Sequence, residues 1–161
     1  MLTSIWEYGT QRGDNVLTQD YLMRMFMQLA AAMKESLLRA RGESDPRVAA
    51  DMLDAAISDA TEMDGGLLLR MAPESMAAML RISQPDPQLM EYVSRSLLLS
   101  SRYSSEAGDS SIAALRRGQA YAVARAFGVD LDESSVSQQE LDALFERSGL
   151  DPNALGISAP Q

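Results

Sequence analysis

The sequence predicts an all-α fold, a bundle of five to six helices, on three observations. Apolar residues return every three or four positions over long stretches, which places them on one side of a coil that turns every 3.6 residues. Two Asp-Pro pairs, Asp45-Pro46 and Asp86-Pro87, are helix starts: the carboxylate accepts N–H groups of the first turn, and proline lacks an N–H where none is needed. Glycines stand where the periodicity lapses, at Gly42, Gly65-Gly66, Gly128 and Gly149.

Residues 1–17 show no clear period and contain Gly9, Gly13, Asp14 and Asn15, so they read as an N-terminal arm with turns, tethered by Trp6 and Tyr8. A single helical domain is expected over 18–150. Its first helix runs from about Asp20 to Arg41, with Leu22, Phe26, Leu29, Met33 and Leu37 in one stripe and Met23, Met27 and Ala30 in a second. That breadth predicts a central helix. Arg24 stands out in the stripe, and Asp20 one turn earlier is its expected local partner. Helix two starts at Asp45-Pro46 and ends by Gly65-Gly66, half-buried through Ala49, Met52, Leu53, Ala56, Ile57, Ala60 and Met63, with Asp51, Asp54, Ser58 and Glu62 on its other side.

Leu67 to Met71, and the helical turns opened by Pro73 through Met76, Met79, Leu80 and Ile82, are expected inside. The next helix runs from Pro87 to about Tyr103 through Met90, Val93 and Leu97. The spacing of the two Asp-Pro starts admits a second arrangement, repeat-like stacking of antiparallel helix pairs, although no tetratricopeptide or ankyrin signature accompanies it. Ser100 to Ser111 reads as a mobile, Ser-rich surface connection, with phosphate acceptance as its functional alternative. Helix five covers Ile112 to Phe127, where Ala120, Ala122, Ala124 and Ala126 let a neighbour come close and Leu115, Val123 and Phe127 anchor it. Arg116, Arg117 and Arg125 read as a solvated face, with a small anion patch as the other reading. A capping box, Ser137-x-x-Glu140, opens a last short helix carrying Leu141, Leu144 and Phe145, and residues 151–161 form a tail expected to turn once and fray.

Composition narrows the function. A net charge of -9 repels phosphate backbones and anionic membranes, so neither nucleic acid nor membrane is an expected partner. The absence of Cys removes thiolate nucleophiles and Cys-based metal sites, and the absence of His removes Ser-His-Asp triads, imidazole bases and Glu-x-x-His ligand sets. Asp130-x-Asp132-x-Ser134 opens like a calcium loop but has Ser135 where glycine is needed and Leu141 where glutamate is needed. No cofactor, metal or catalytic residue is therefore expected. Met1 to Tyr8 lacks the basic and apolar regions of a targeting segment, and no apolar run approaches the ~20 residues that span a bilayer; a cytoplasmic location is the default expectation.

The segment Gln19-Asp20-Tyr21-Leu22-Met23-Arg24-Met25 resembles the opening of an uncharacterised family of small bacterial all-helical proteins that carry an Asp-Tyr-Ile/Leu-Met-Arg stretch near their start. The resemblance implies a helical fold and no particular chemistry. What remains is a non-enzymatic interaction or structural protein, with a protein partner or a second copy meeting Trp6, Tyr8, Met23, Arg24 and Met27. The alternative is a carboxylate- or arginine-based enzyme or small-ligand binder, whose sign would be a cavity holding unpaired Asp or Glu.

Overall fold

The structure, a computed structural model, describes residues 2–42, 45–61 and 66–151, with side chains from Gln19 to Arg39 in the first of these spans. Among the described residues there are six α-helices: α1 Leu2–Gly42, α2 Pro46–Thr61, α3 Pro73–Ser83, α4 Pro87–Glu106, α5 Ser110–Ala126 and α6 Gln138–Arg147. Short 3₁₀ turns at Leu68–Arg70 and Glu133–Val136 join them, and no strand occurs among the described residues. The helical backbone of α1 reaches back over positions where an arm with turns was expected. The side chains of Trp6 and Tyr8, and the tail from Pro152 onward, lie outside the described residues.

Local chemistry sets the helix ends. Asp45 Oδ1 accepts from the Val48 N–H at 3.3 Å, and Asp86 Oδ1 accepts from Gln88 and Leu89 at 2.8 and 3.3 Å, each ahead of a proline in the first turn. Ser137 Oγ accepts from the Glu140 N–H at 3.2 Å. The reciprocal capping box sits one element earlier: Asp132 accepts from the Ser134 and Ser135 backbone, and Ser135 Oγ accepts from the Asp132 N–H at 3.0 Å. These bonds, led by the Ser134 hydroxyl, hold the Asp132 carboxyl below its ordinary range. Asp132 is therefore a cap, and the calcium-like spacing of Asp130, Asp132 and Ser134 has a structural cause.

The helix at the centre is α4. It packs on α1, α2, α5 and the second 3₁₀ turn, and 14 of its 20 residues are buried. The expectation of a central α1 fails at Met23, which is half-exposed, and at Met27, which is only partly covered; the stripe from Phe26 through Leu29 to Met33 is the buried one. Serine hides the centrality of α4 from a hydropathy pattern. Ser94 and Ser101 donate to the carbonyls of Glu91 and Leu98 at 2.9 and 2.6 Å, so these small hydroxyls satisfy themselves within their own helix and take little space. Ser100 to Ser105 are accordingly helical rather than a mobile connection, and only Ala107, Gly108 and Asp109 separate α4 from α5.

Across the molecule the helices lie in the order α1, α2, α4, α5, α3. Repeat-like stacking would seat each helix on its neighbour in sequence, whereas the main partner of α3 is α5 and that of α2, beyond α1, is α4. Along α3, Met76, Ala77 and Leu80 turn inward; Met79 and Ile82, expected inside, lie off that stripe and are exposed, Ile82 by 77%. Leu67 is likewise exposed while Leu68 and Leu69 are buried. The approach of α5 to the start of α3 is very close at Gly118, where a Cβ would stand 2.8 Å from Pro73 Cγ.

A methyl group at this position meets a stiff ring. Gly118→Ala should therefore destabilise the fold by about 1–3 kcal/mol despite the better helix propensity of alanine, and Pro73→Ala should recover part of the loss. Urea unfolding of the two single variants and the double variant would show it, and additive losses would mean that the contact does not limit the packing.

Candidate functional site

Helix α2 has two working sides. One carries Asp54 towards α4 and α5, and the other carries Met52, Ala55, Ala56 and Asp59 beside α1.

On the inner side Asp54 meets Arg116 of α5 in a two-pronged contact, Nε to Oδ1 and Nη2 to Oδ2, both at 3.1 Å. The Ser100 hydroxyl donates to Oδ1 at 2.7 Å. Arg116 Nη1 donates onward to the Leu69 carbonyl at 2.7 Å and to Gln119 Oε1 at 3.2 Å. The Gln119 amide in turn donates to the carbonyls of Leu69 and Met71, each at 2.9 Å. Arg116 and Gln119 are buried, so these bonds form with little water to compete. The sequence reading of Arg116 as part of a solvated face is overturned: an arginine with this many partners is a fastening. Arg117 is paired with Glu133, and Arg125 with Glu74 at 3.2 Å, so the three arginines form no anion patch.

A cleft of about 170 Å³ opens beside this network, lined by Arg47, Asp51, Asp54, Ser104, Asp109 and Arg116 among others. Arg47 closes part of its mouth, reaching Asp109 at 3.8 Å. Asp54, the carboxylate deepest in this network, accepts three hydrogen bonds. Among the described residues no group of three or more acidic side chains is placed to hold a metal ion.

A second buried arginine, Arg95 of α4, donates to the Ser135 carbonyl at 2.7 Å and to Glu91 at 2.9 Å, fixing the 3₁₀ turn that carries Val136 inward. Three residues before it, Tyr92 stands edge-on to Phe26, ring centres 4.9 Å apart, and donates its hydroxyl to Ser148 Oγ at 2.6 Å. Burial pushes the Tyr92 phenol above its ordinary value of 10.0, and the Ser148 hydrogen bond partly offsets this.

On the outer side lies a groove of about 450 Å³ between α1 and α2. Ala31, Ala32, Ala55 and Ala56 supply small side chains, Met52 adds bulk, and Gln28, Glu35, Arg39 and Asp59 are its polar members. Glu35 and Arg39 pair along α1 at 3.4 Å. The surface residues named from sequence fall on this helix: Met23 and Arg24 are exposed on α1 before the groove begins, and Met27 is half-buried next to Gln28. Among the described residues Arg24 and Asp20 form no ion pair with each other. Of the groove's alanines the helical period picks out only Ala56, on the half-buried face of α2, and the Asp54–Arg116 pair, 62 residues apart in the chain, leaves no local signal.

Among the described residues no helix is long and apolar enough to cross a membrane. Comparison of the chain with protein-family models, curated proteins and solved structures returns no match.

Two measurements check the site. Removing one partner of the buried pair leaves the other charge uncompensated, so Arg116→Met and Asp54→Asn should each cost about 3 kcal/mol, somewhat less for the partly exposed Asp54, while the double change costs clearly less than the sum. Arg116→Lys should rescue little because an ammonium cannot reproduce the fork. A neutral phenol is favoured in the fold, so the stability it confers is complete below pH 10.0 and declines as the pH rises through its raised value. Tyr92→Phe should lose about 1 kcal/mol at pH 7 and show a shallower alkaline decline than the wild type in denaturant titrations.

Proposed function

We propose that this chain is a non-catalytic helical interaction protein whose working surface is the groove between α1 and α2, taking one amphipathic helix. The observation that carries the proposal is the pairing of a small-residue floor with a polar rim on the outer side of two packed helices. Ala31, Ala32, Ala55 and Ala56 leave room for a third helix axis at the usual 8–10 Å separation. Gln28, Arg39 and Asp59 offer hydrogen bonds and charges to its polar flanks, and Glu35, itself buried, pairs with Arg39.

The inner polar network argues for the same division of labour. A binder or enzyme working through Asp54 or Arg116 would need those groups available to a ligand, and they hold each other and two other elements of the fold, α4 and the first 3₁₀ turn. The lack of His and Cys leaves carboxylates and arginines as the remaining ionisable side chains of most use to catalysis, and the buried pair consumes the best-placed of them.

Site-specific photocrosslinking tests the groove. A benzoylphenylalanine placed at the exposed groove position Ala55 should form a discrete covalent adduct in cells, whereas the same group at Ser111, exposed at the start of α5, should not. Equal adduct patterns at the two positions, or none at Ala55, would refute the groove as a docking surface.

A further inference from the structure

The order of charges along α1 identifies what fills the groove. Asp20, Arg24, Gln28, Ala31, Glu35 and Arg39 follow one another at steps of three or four residues and so share one side of the helix. Their charges run negative, positive, neutral, neutral, negative, positive. Reversed end to end, the series carries the opposite sign at every charged place. Against a parallel copy of itself this side would set like charge on like. Against an antiparallel copy it sets Arg24 level with the partner's Glu35, Asp20 level with the partner's Arg39, and Gln28 level with the partner's Ala31.

The two charged steps on each side of the contact are four residues apart, about 6 Å along the axis at ~1.5 Å per residue, which matches on both strands of the pairing. Within one copy Glu35 and Arg39 already stand 3.4 Å apart. The antiparallel neighbour therefore brings its Arg24 and Asp20 to the two ends of an existing ion pair, giving four alternating charges in a row at each end of the contact. Networks of this kind are worth more than isolated surface pairs. Asp20 and Arg24 are exposed and form no ion pair with each other, so the fold of a single copy does not use them for that purpose. Between the two charged ends lies Ala31, small enough to let the axes close.

We infer that a second copy of this chain occupies the groove, with α1 lying antiparallel to its partner's α1 about a two-fold axis that passes at the level between Leu29 and Ala30. The inference rests on the groove being a docking surface and adds its occupant. The contact is isologous, each α1 lying in the groove of the other, so the assembly closes at two copies. It is a reversible dimer, because ion pairs at exposed positions are individually weak.

Sedimentation equilibrium of the full chain from about 5 to about 500 µM tests it, because a reversible dimer dissociates on dilution across such a range. The wild type should shift from monomer to dimer and go no further. Arg24→Glu sets carboxylate against carboxylate twice and should raise the dissociation constant at least about tenfold, as should Glu35→Arg. The double variant, Arg24→Glu with Glu35→Arg, restores opposite charges and should return to within about threefold of the wild type. Circular dichroism confirms that each variant is folded. Asp20→Arg, at an exposed position, should weaken the dimer likewise and keeps the test valid if Glu35→Arg does not fold. A wild type that stays monomeric throughout, a dimer indifferent to Arg24→Glu and Asp20→Arg, or folded double variants that do not recover would each overturn the inference. An adduct from Ala55 with a different protein in a monomeric chain would leave the groove standing and remove only the second copy.

Discussion

The bundle depends on one ion pair held largely away from water. Burying an arginine costs several kcal/mol unless a carboxylate and further acceptors replace its hydration, and Arg116 finds Asp54, the Leu69 carbonyl and Gln119 within hydrogen-bonding distance. Through those bonds α5 is fastened to α2 and to the 3₁₀ turn between α2 and α3. Gln119 extends the grip to Met71, and two residues later Pro73 starts α3 against Gly118. The position of α3, which lies beside α5 rather than beside its neighbours in sequence, thus follows from a guanidinium that needed acceptors.

A purely apolar interface would have left more freedom. The flanks of α4 are lined with leucine, serine and alanine, and small or flexible residues pack in several registers at similar cost. The fork of Arg116 admits one, since both of its bonds to Asp54 must be made together with the one to Leu69. Arg95 does similar work at the other end of α4, where its bond to the Ser135 carbonyl fixes the 3₁₀ turn that inserts Val136. Arg95 belongs to α4, and Arg116 is linked to it through Asp54, to which Ser100 donates, so the central helix is a polar scaffold as well as an apolar one.

Features that a few adjacent residues decide were legible in the sequence. The helix starts at Asp45-Pro46, Asp86-Pro87 and Ser137, and the stops at Gly128 and Gly149, lie where local hydrogen bonding requires them, and the all-α class follows from the period. Features decided by distant partners were not. A pattern that counts serine as polar assigns Ser94, Ser96, Ser100, Ser101 and Ser104 to solvent, so α4 reads as shorter and less central than it is. A pattern that counts methionine as apolar assigns Met23 and Met79 to the core, although each lies off the buried stripe of its helix. Arg116 is the sharpest case: its own neighbourhood, Leu115, Arg117 and Gly118, says nothing of Asp54.

The same contrast separates the two sides of α2. Inward, polar groups are matched to one another so fully that they have little left to offer a ligand. Outward, the polar groups of α1 form two steps, Asp20 to Arg24 and Glu35 to Arg39, each with the acid one turn before the base, an orientation that a single helix already favours and that an antiparallel copy can read as well. For a second helix to read that order is demanding, because two bodies that each carry a net charge of -9 repel once they approach within about a Debye length, roughly 10 Å at 0.1 M salt. Contact at close range must therefore come from groups paired one to one. An antiparallel copy supplies such pairs at both ends of the groove, and an acidic chain that lacked them would be kept apart from its own kind.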